Sequence, residues 1–344
     1  MFGLADRSAR CVFLFAVLLT AGALPVCAQE FYSGKTVTII VSGAGAYENY
    51  ARLLARFMPK YLPGTPAMIV QSMPGGGGLR AANFLAKIAP RDGTTIAATH
   101  GAVLTSALLA PEVTEFDVKS FGAIGNITRD TYLAYVWSTS PHQTIEDAKM
   151  TELIVGGASV GGAGIDLAIL VRDVLGYKLK IVSGYKGSND TKLAMERGEI
   201  HGTMGNTISS LQTAGWLDGG QVRVLLQLGN KPHRDFPNVP LYSSITRNEE
   251  ERQMLEVIAV RNEIAKPYFA PPGLPAARLE ILRRAFDSAI REPEFVADAA
   301  RQNMEIEDSL TGEQLADAID RVTNTSPGVV KKLNALFKNF KDRP

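Results

Sequence analysis

The sequence predicts an α/β protein of two lobes, each built on a mainly parallel, doubly wound sheet. Three observations predict it. Short β-branched runs are each followed by a glycine-bearing turn and a helix-period segment, the rhythm of a parallel sheet with covering helices. That rhythm breaks once, where Phe121 to Ile127 and Thr131 to Trp137 follow each other with only Thr128-Arg129-Asp130 between. The chain also has 344 residues, more than one typical domain of roughly 100–200 residues.

Taken in order, Val37-Thr38-Ile39-Ile40-Val41 is nearly all apolar and β-branched, the composition of a strand buried on both faces. Ser42-Gly43-Ala44-Gly45-Ala46 turns the chain, and Tyr47-Glu48-Asn49-Tyr50 opens a helix ending near Tyr61. Ala67 to Gln71 reads as strand two, and Gly75 to Gly78 forms a second glycine loop before a helix from Leu79 to Ala89. Thr94 to Thr99 is strand three, with His100 just past its carboxyl end. The pattern restarts after the break. Leu153 to Val155 is a strand, Gly156 to Gly164 a third glycine loop, and Ile165 to Leu175 a helix with Asp166 in its first turn. Lys180 to Ser183 leads to Gly184-Tyr185-Lys186-Gly187, with Asn189 or Asp190 expected to cap the next helix. Ile200 to Met204 is strand-like and ends at Gly205-Asn206-Thr207, and Gln221 to Leu228 is the last strand of this lobe. Asn248 to about Val260 is a helix, Tyr268 to Gly273 the return to lobe one, and the chain is helical from Pro275 onward. Ser326-Pro327 supplies an N-cap followed by proline at the first helical position. The expected divisions are 1–28, 29–128 (lobe one), 129–262 (lobe two) and 263–344 (return to lobe one and C-terminal helices).

Residues 1–28 have the form of an export signal. Arg7 and Arg10 precede an apolar run from Cys11 to Leu24, and Val26-Cys27-Ala28 offers small residues at a cut before Gln29. Both cysteines lie in this segment, so a chain cut there forms no disulfide and carries equal numbers of acidic and basic side chains. A periplasmic location is expected. The charge balance excludes the basic footprint of a nucleic-acid binder. His142, His201 and His233 lack metal-ligand spacing, and no nucleophile elbow or phosphate loop occurs. Gly43-x-Gly45 has no third glycine at the dinucleotide position. The sequence therefore points to a binding protein, with no cofactor, no metal and no catalytic residues expected.

The strand–glycine–helix corners carry the chemistry. A helix N-terminus leaves backbone N–H groups bare, and the positive end of its dipole favours an anion. Such corners lie beyond the carboxyl ends of the strands, where open α/β sheets bind ligands. A small carboxylate fits them. At individual positions two readings stand. Tyr47 either stacks on a ligand or covers the helix start, and Glu48 suits the helix dipole with or without a ligand. Gly75 and Gly76 either approach a ligand or let two loops pack. His100 and Tyr185 are cleft candidates or surface residues.

Several segments, in this order and spacing, resemble the periplasmic substrate-binding receptors of tripartite tricarboxylate transporters, the Bug family. They are Lys35 to Val41 with its glycine loop and Ala51-Arg52-Leu53, Gln71 to Gly77, Ala89 to Thr95, Gly184 to Gly187, Phe236 to Pro240, Phe269 to Gly273 and Pro293-Glu294-Phe295. The resemblance implies a two-lobed periplasmic binding protein, the Venus-flytrap fold, with crossing strands as hinge. It implies capture of a small organic carboxylate in the cleft by a monomer, and delivery to the membrane subunits of the transporter. The ligand positions it implies are Ser42, Gly43, Ala44, Gly45, Ala46 and Tyr47 in lobe one. In lobe two they are Ala158, Ser159, Gly161, Gly162, Ala163 and Gly164, with Asn206 at a polar cleft position. Where the family often has aspartate before the first helix, this chain has Glu48 in a loop about two residues shorter. A periplasmic sensor signalling to a membrane kinase and an exported α/β enzyme are the competing functions.

Overall fold

The computed structural model describes residues 31–42, 46–75, 78–109, 111–185, 188–208, 211, 215–217, 219–229, 231–306 and 308–342. The expected export segment lies outside them, as do Gly43, Ala44, Gly45, Gly76, Lys186 and Gly187, and nothing is described of the Ala46 side chain.

The strands form two sheets. In the first, β1 (Thr36–Val41), β2 (Ala67–Ser72), β3 (Thr95–Ala98), β4 (Gly122–Asn126), β10 (Pro267–Ala270) and β11 (Leu310–Thr311) lie in the order β11-β4-β10-β3-β1-β2. In the second, β5 (Tyr132–Trp137), β6 (Leu153–Gly157), β7 (Leu179–Ser183), β8 (Gly202–Thr207) and β9 (Val222–Leu228) lie in the order β7-β6-β8-β5-β9. β1 is an interior strand parallel to both neighbours, which is why its apolar run has no alternation. Edge strand β2 does alternate, and leaves Ile69 exposed.

The two lobes are stitched by strands that run against the grain. β5 pairs antiparallel with β8 and β9, and β10 pairs antiparallel with β3 and β4. Each enters its sheet from the other lobe, at the carboxyl ends of the parallel strands, so it has to run backwards. The buried Asn126 side chain ties the two crossing segments together. Its amide donates to Thr128 O at 2.8 Å and Glu263 O at 3.3 Å, and its carbonyl accepts from Lys266 N at 2.8 Å.

Helices cover both sheets. α1 (Ala46–Phe57) follows β1, α2 (Leu79–Lys87) follows β2 and α3 (Ala102–Leu109) follows β3. In the second lobe α4 (Ala163–Ile169) continues as a π turn to Val174, and α5 (Ser188–Glu196) follows β7. Asn189 and Asp190 thus sit inside α5 rather than capping it, because the helix begins at Ser188 directly after the glycine loop. Gly156 and Gly157 belong to β6, not to the loop. A Cβ on Gly156 would stand 2.4 Å from Ile200 Cδ1, and one on Gly157 2.8 Å from Ile165 Cγ1, so both positions are closed to side chains.

α6 (Glu249–Glu263) spans the lobes. Met254, Leu255, Val257 and Ile258 join the core of the second sheet, while Val260 joins a core of the first. Asn248, expected as the first residue of the helix, instead caps it by accepting from Glu251 N. α7 (Ala276–Ile290), α8 (Pro293–Arg301) and α9 (Gly312–Thr323) return to the first sheet. The last helix, α10 (Pro327–Lys341), crosses back. Ser326 caps it, and its stripe of Val329, Leu333 and Phe337 is buried in the core of the second sheet. Truncating Leu333 to alanine therefore cavitates lobe two. A destabilisation of about 2–5 kcal/mol is expected, read as a lower urea midpoint with the loss of amide protection confined to the second sheet; loss confined to the first sheet would refute the assignment.

Candidate functional site

The carboxyl ends of the parallel strands of the two sheets face each other across the crossing segments. On the second lobe, a cavity of about 210 Å³ opens at the start of α4. Its walls include Ala158, Gly162, Ala163, Gly164 and Asn206, all expected from the sequence, together with Tyr132, which was not. Gly162 is the N-cap of α4, with extended backbone, and its carbonyl accepts the first helical bond from Asp166 N. The N–H groups of the first helical turn have no acceptor within the helix and lie at the cavity. Gly164 permits this closeness, since a Cβ there would lie 3.1 Å from Thr203 Oγ1. Asn206 sits on β8. Its carbonyl accepts from Thr207 N, and its amide donates to the Tyr135 hydroxyl at 3.2 Å, which holds the side chain in one orientation. Ser159 is exposed and its carbonyl accepts from Gly162 N, closing the loop. Tyr185 packs on Gly156 in the hydrophobic cluster on the other face of the sheet and does not line the cavity.

On the first lobe, Ser42, Tyr47, Gly78 and His100 come together. The Tyr47 and His100 rings meet edge to face with centroids 3.8 Å apart. A Cβ on Gly78 would lie 3.2 Å from His100 Nδ1 and 3.3 Å from Ser42 Cβ. Gly78, with φ of +98°, thus lets the second glycine loop pack on the first strand end; Gly75 lies farther out, against Arg80. Ser42 Oγ is buried without a hydrogen-bond partner. Glu48 turns its carboxylate to Arg52 one helical turn on, with Arg52 Nε donating at 2.9 Å.

Between these surfaces lies a buried charged floor that sequence reasoning missed. Lys266 Nζ stands 4.0 Å from Asp130 and 4.5 Å from the centre of the Tyr47 ring. Burial lowers the Lys266 amine from its usual value, against the pull of Asp130. Burial raises the Asp130 carboxyl to about 6, opposed by Lys266. The Tyr132 hydroxyl is pushed up to about 12 by burial and then by Asp130. Tyr47 is held far above the ordinary phenol range by burial, then by Tyr132 and by Asp130. Tyr47 from lobe one and Tyr132 from lobe two therefore share one electrostatic environment. Both stay neutral hydrogen-bonding groups.

Arg261 joins the lobes. Its Nε donates to Thr105 Oγ1 on α3 at 2.7 Å, and its Nη1 donates to Asp166 Oδ2 at 2.6 Å and to Gly161 O at 3.1 Å. The other Asp166 oxygen accepts from Gly161 N at 2.9 Å. The loop at the cavity mouth is thus held by both its N–H and its carbonyl. Asp166 was legible as a first-turn acid; Arg261, nearly a hundred positions away, carried no local signal.

Among the described residues no group of histidine, cysteine, aspartate and glutamate side chains could hold a metal ion, and no helix is long and apolar enough to cross a membrane. The chemistry on offer is donation of hydrogen bonds to an anion, from peptide N–H groups and neutral tyrosines.

Two expectations follow. Arg261→Ala leaves Asp166, which is 0 % exposed, without its counter-charge. A loss of about 3–5 kcal/mol is expected, with Arg261→Lys falling between; a urea midpoint unchanged in Arg261→Ala would contradict it. For Asp130, the unfolded value is about 3.9, so the folded chain holds this proton more tightly. Its contribution to stability is fully present below about pH 4 and is lost as pH rises through about 6. Stability of the wild type relative to Asp130→Asn/Lys266→Met should therefore fall across that window; a difference independent of pH would show that Asp130 titrates normally.

Comparison with known proteins places this architecture. Residues 50–335 match the sequence profile TctC, the tripartite tricarboxylate transporter family receptor. No curated protein sequence matches. Among solved structures, a TctC solute-binding protein from Polaromonas superposes with a TM-score of 0.67 at 19% identity, covering 90% of this chain and 99% of that one. MatC from Rhodopseudomonas palustris with bound malate gives 0.61 at 18% identity, covering 88% and 99%. A second R. palustris protein, with adipate, gives 0.62 at 17% identity, covering 89% and 98%. At these identities the likeness is one of fold. The profile match extends over most of the chain, and this protein belongs to the tripartite tricarboxylate transporter receptor family.

Proposed function

We propose that this protein is a periplasmic solute receptor that captures a small organic carboxylate between its lobes and delivers it to the membrane subunits of a tripartite tricarboxylate transporter. The observation that carries the reading is the cavity at the start of α4, walled by the first-turn residues Ala163, Gly164 and Ile165 and by Tyr132 and Asn206. Family membership supports the transport role, and the bound malate and adipate of two structures of the same fold support the ligand class.

One carboxylate of the ligand docks on the N–H groups of Ala163 to Ile165, where the helix dipole favours negative charge. The first lobe then closes, bringing the Ser42 corner, Tyr47 and His100 onto the ligand's other side. Peptide donors suit reversible capture. They are fixed before binding and carry no net charge, so they stabilise the anion without a counter-ion that would slow release. The ligand drives closure only by as much as it prefers the closed form. The hydroxyl of Ser42, buried without a partner, is a donor for the closed state. The protein acts as a monomer without cofactor or catalytic turnover, after removal of its export signal at Ala28.

A thermal-shift screen over organic acids, malate and adipate included, tests the reading. At a hundred times its dissociation constant the ligand should add about 2.7 kcal/mol of stability. Gly162→Val places a branched side chain at the cavity rim at a position whose backbone is already extended. It should weaken binding at least about tenfold, equivalent to about 1.4 kcal/mol, and lower the unliganded melting temperature only slightly, since the new Cβ stands 3.2 Å from Ser159 O and valine caps a helix less well than glycine. Full affinity in this variant, or consumption of the acid by pure protein, would overturn the reading.

A further inference from the structure

α6 has a second side. Successive residues on a helix turn by about 100°, so Glu263 lies opposite Arg261 and its hold on the Gly161 loop, and Asn262 lies to one side of it. With Ala259 they line a separate cavity of about 440 Å³. Its other walls are Arg129, Asp130 and Thr131 from the crossing segment, Gly229 and Lys231 to Arg234 of lobe two, and Asp308 of lobe one. It is therefore bounded by both lobes and by the hinge.

The polar groups on this cavity are unevenly satisfied. Lys231 pairs with Asp308 at 3.2 Å, and Glu263 with Arg321 at 2.6 Å. Asp130 faces Lys266. Arg129 reaches Glu263 only at 3.9 Å, and its buried Nε–H has no acceptor. Asn262 is 2 % exposed, and neither its Oδ1 nor its Nδ2 has a partner. A buried amide left unsatisfied costs stability that an apolar side chain of the same shape avoids. A bound molecule that paired with the amide would offset that cost.

We propose that this cavity is a second ligand site, for a small α-hydroxy or α-amino carboxylate. The carboxylate accepts from Arg129 Nε and Asn262 Nδ2. The adjacent hydroxyl or ammonium donates to Asn262 Oδ1, which a plain carboxylate leaves unpaired. The site stands independently of what the α4 cavity holds. Because its walls come from both lobes, an occupant here contacts the same joint that the α4 ligand closes.

Calorimetry with L-lactate, L-alanine and propionate tests the proposal on the wild type and on Asn262→Leu, Arg129→Gln and Gly162→Val. Saturable binding of L-lactate or L-alanine is expected, unchanged in Gly162→Val and at least tenfold weaker in Asn262→Leu and Arg129→Gln. Propionate should bind at least tenfold more weakly than L-lactate. Asn262→Leu should melt no lower than the wild type; should it fail to fold, Arg129→Gln decides. The proposal is overturned if neither L-lactate nor L-alanine binds the wild type, or if propionate binds as well as L-lactate. Binding that survives both Asn262→Leu and Arg129→Gln, or that is lost in Gly162→Val alone, overturns it equally.

Discussion

An arginine and an aspartate, both withdrawn from water where one helix passes from lobe to lobe, hold the site in shape. Taking such charges out of water is costly, and the pair is tolerable only because every strong bond around it is made. Arg261 reaches Thr105 on one side and Asp166 and Gly161 on the other, and Asp166 returns a bond to Gly161. The glycine loop at the cavity is therefore not free to wander, although glycine is the residue least constrained by its own backbone. A donor set built from peptide N–H groups works only if those groups are already aimed. Here the aim comes from a side chain on another element.

The same economy governs the joint between the lobes. Strands β5 and β10 run backwards because they enter from the far side, and the segments leading into them pass next to each other. One buried asparagine, Asn126, satisfies three backbone groups there. The floor beneath Tyr47 and Tyr132 is likewise made by the crossing segments, since Asp130 precedes β5 and Lys266 precedes β10. The residues of the crossing segments thus set the electrostatics of what lies between the lobes.

Much of the fold was legible in the order of residues. The β-branched runs, the glycine turns after them and the break in rhythm near Thr128 reported two lobes with their crossover. The N-cap at Ser326 was read correctly, because capping is settled within four residues. Reading failed elsewhere, at one place through a longer-range contact. Gly156 and Gly157 looked like loop, yet they are strand, since Ile200 and Ile165 leave no room above them. Asn189 and Asp190 looked like caps, yet the helix already begins at Ser188 and contains both.

The lobe-two half of the candidate site was visible as a glycine loop between strand and helix, and the Tyr47 corner as its counterpart. Local sequence alone determined those corners, because a tight turn followed by a helix start is written in adjacent residues. Only the tertiary structure decided that Arg261 would clamp the loop, that Lys266 and Asp130 would share a buried floor, and that Asn262 would face a second cavity unpaired. Each depends on which residues meet across the joint. That meeting is set by the packing of α6 and the crossing strands, and no run of neighbouring residues encodes it.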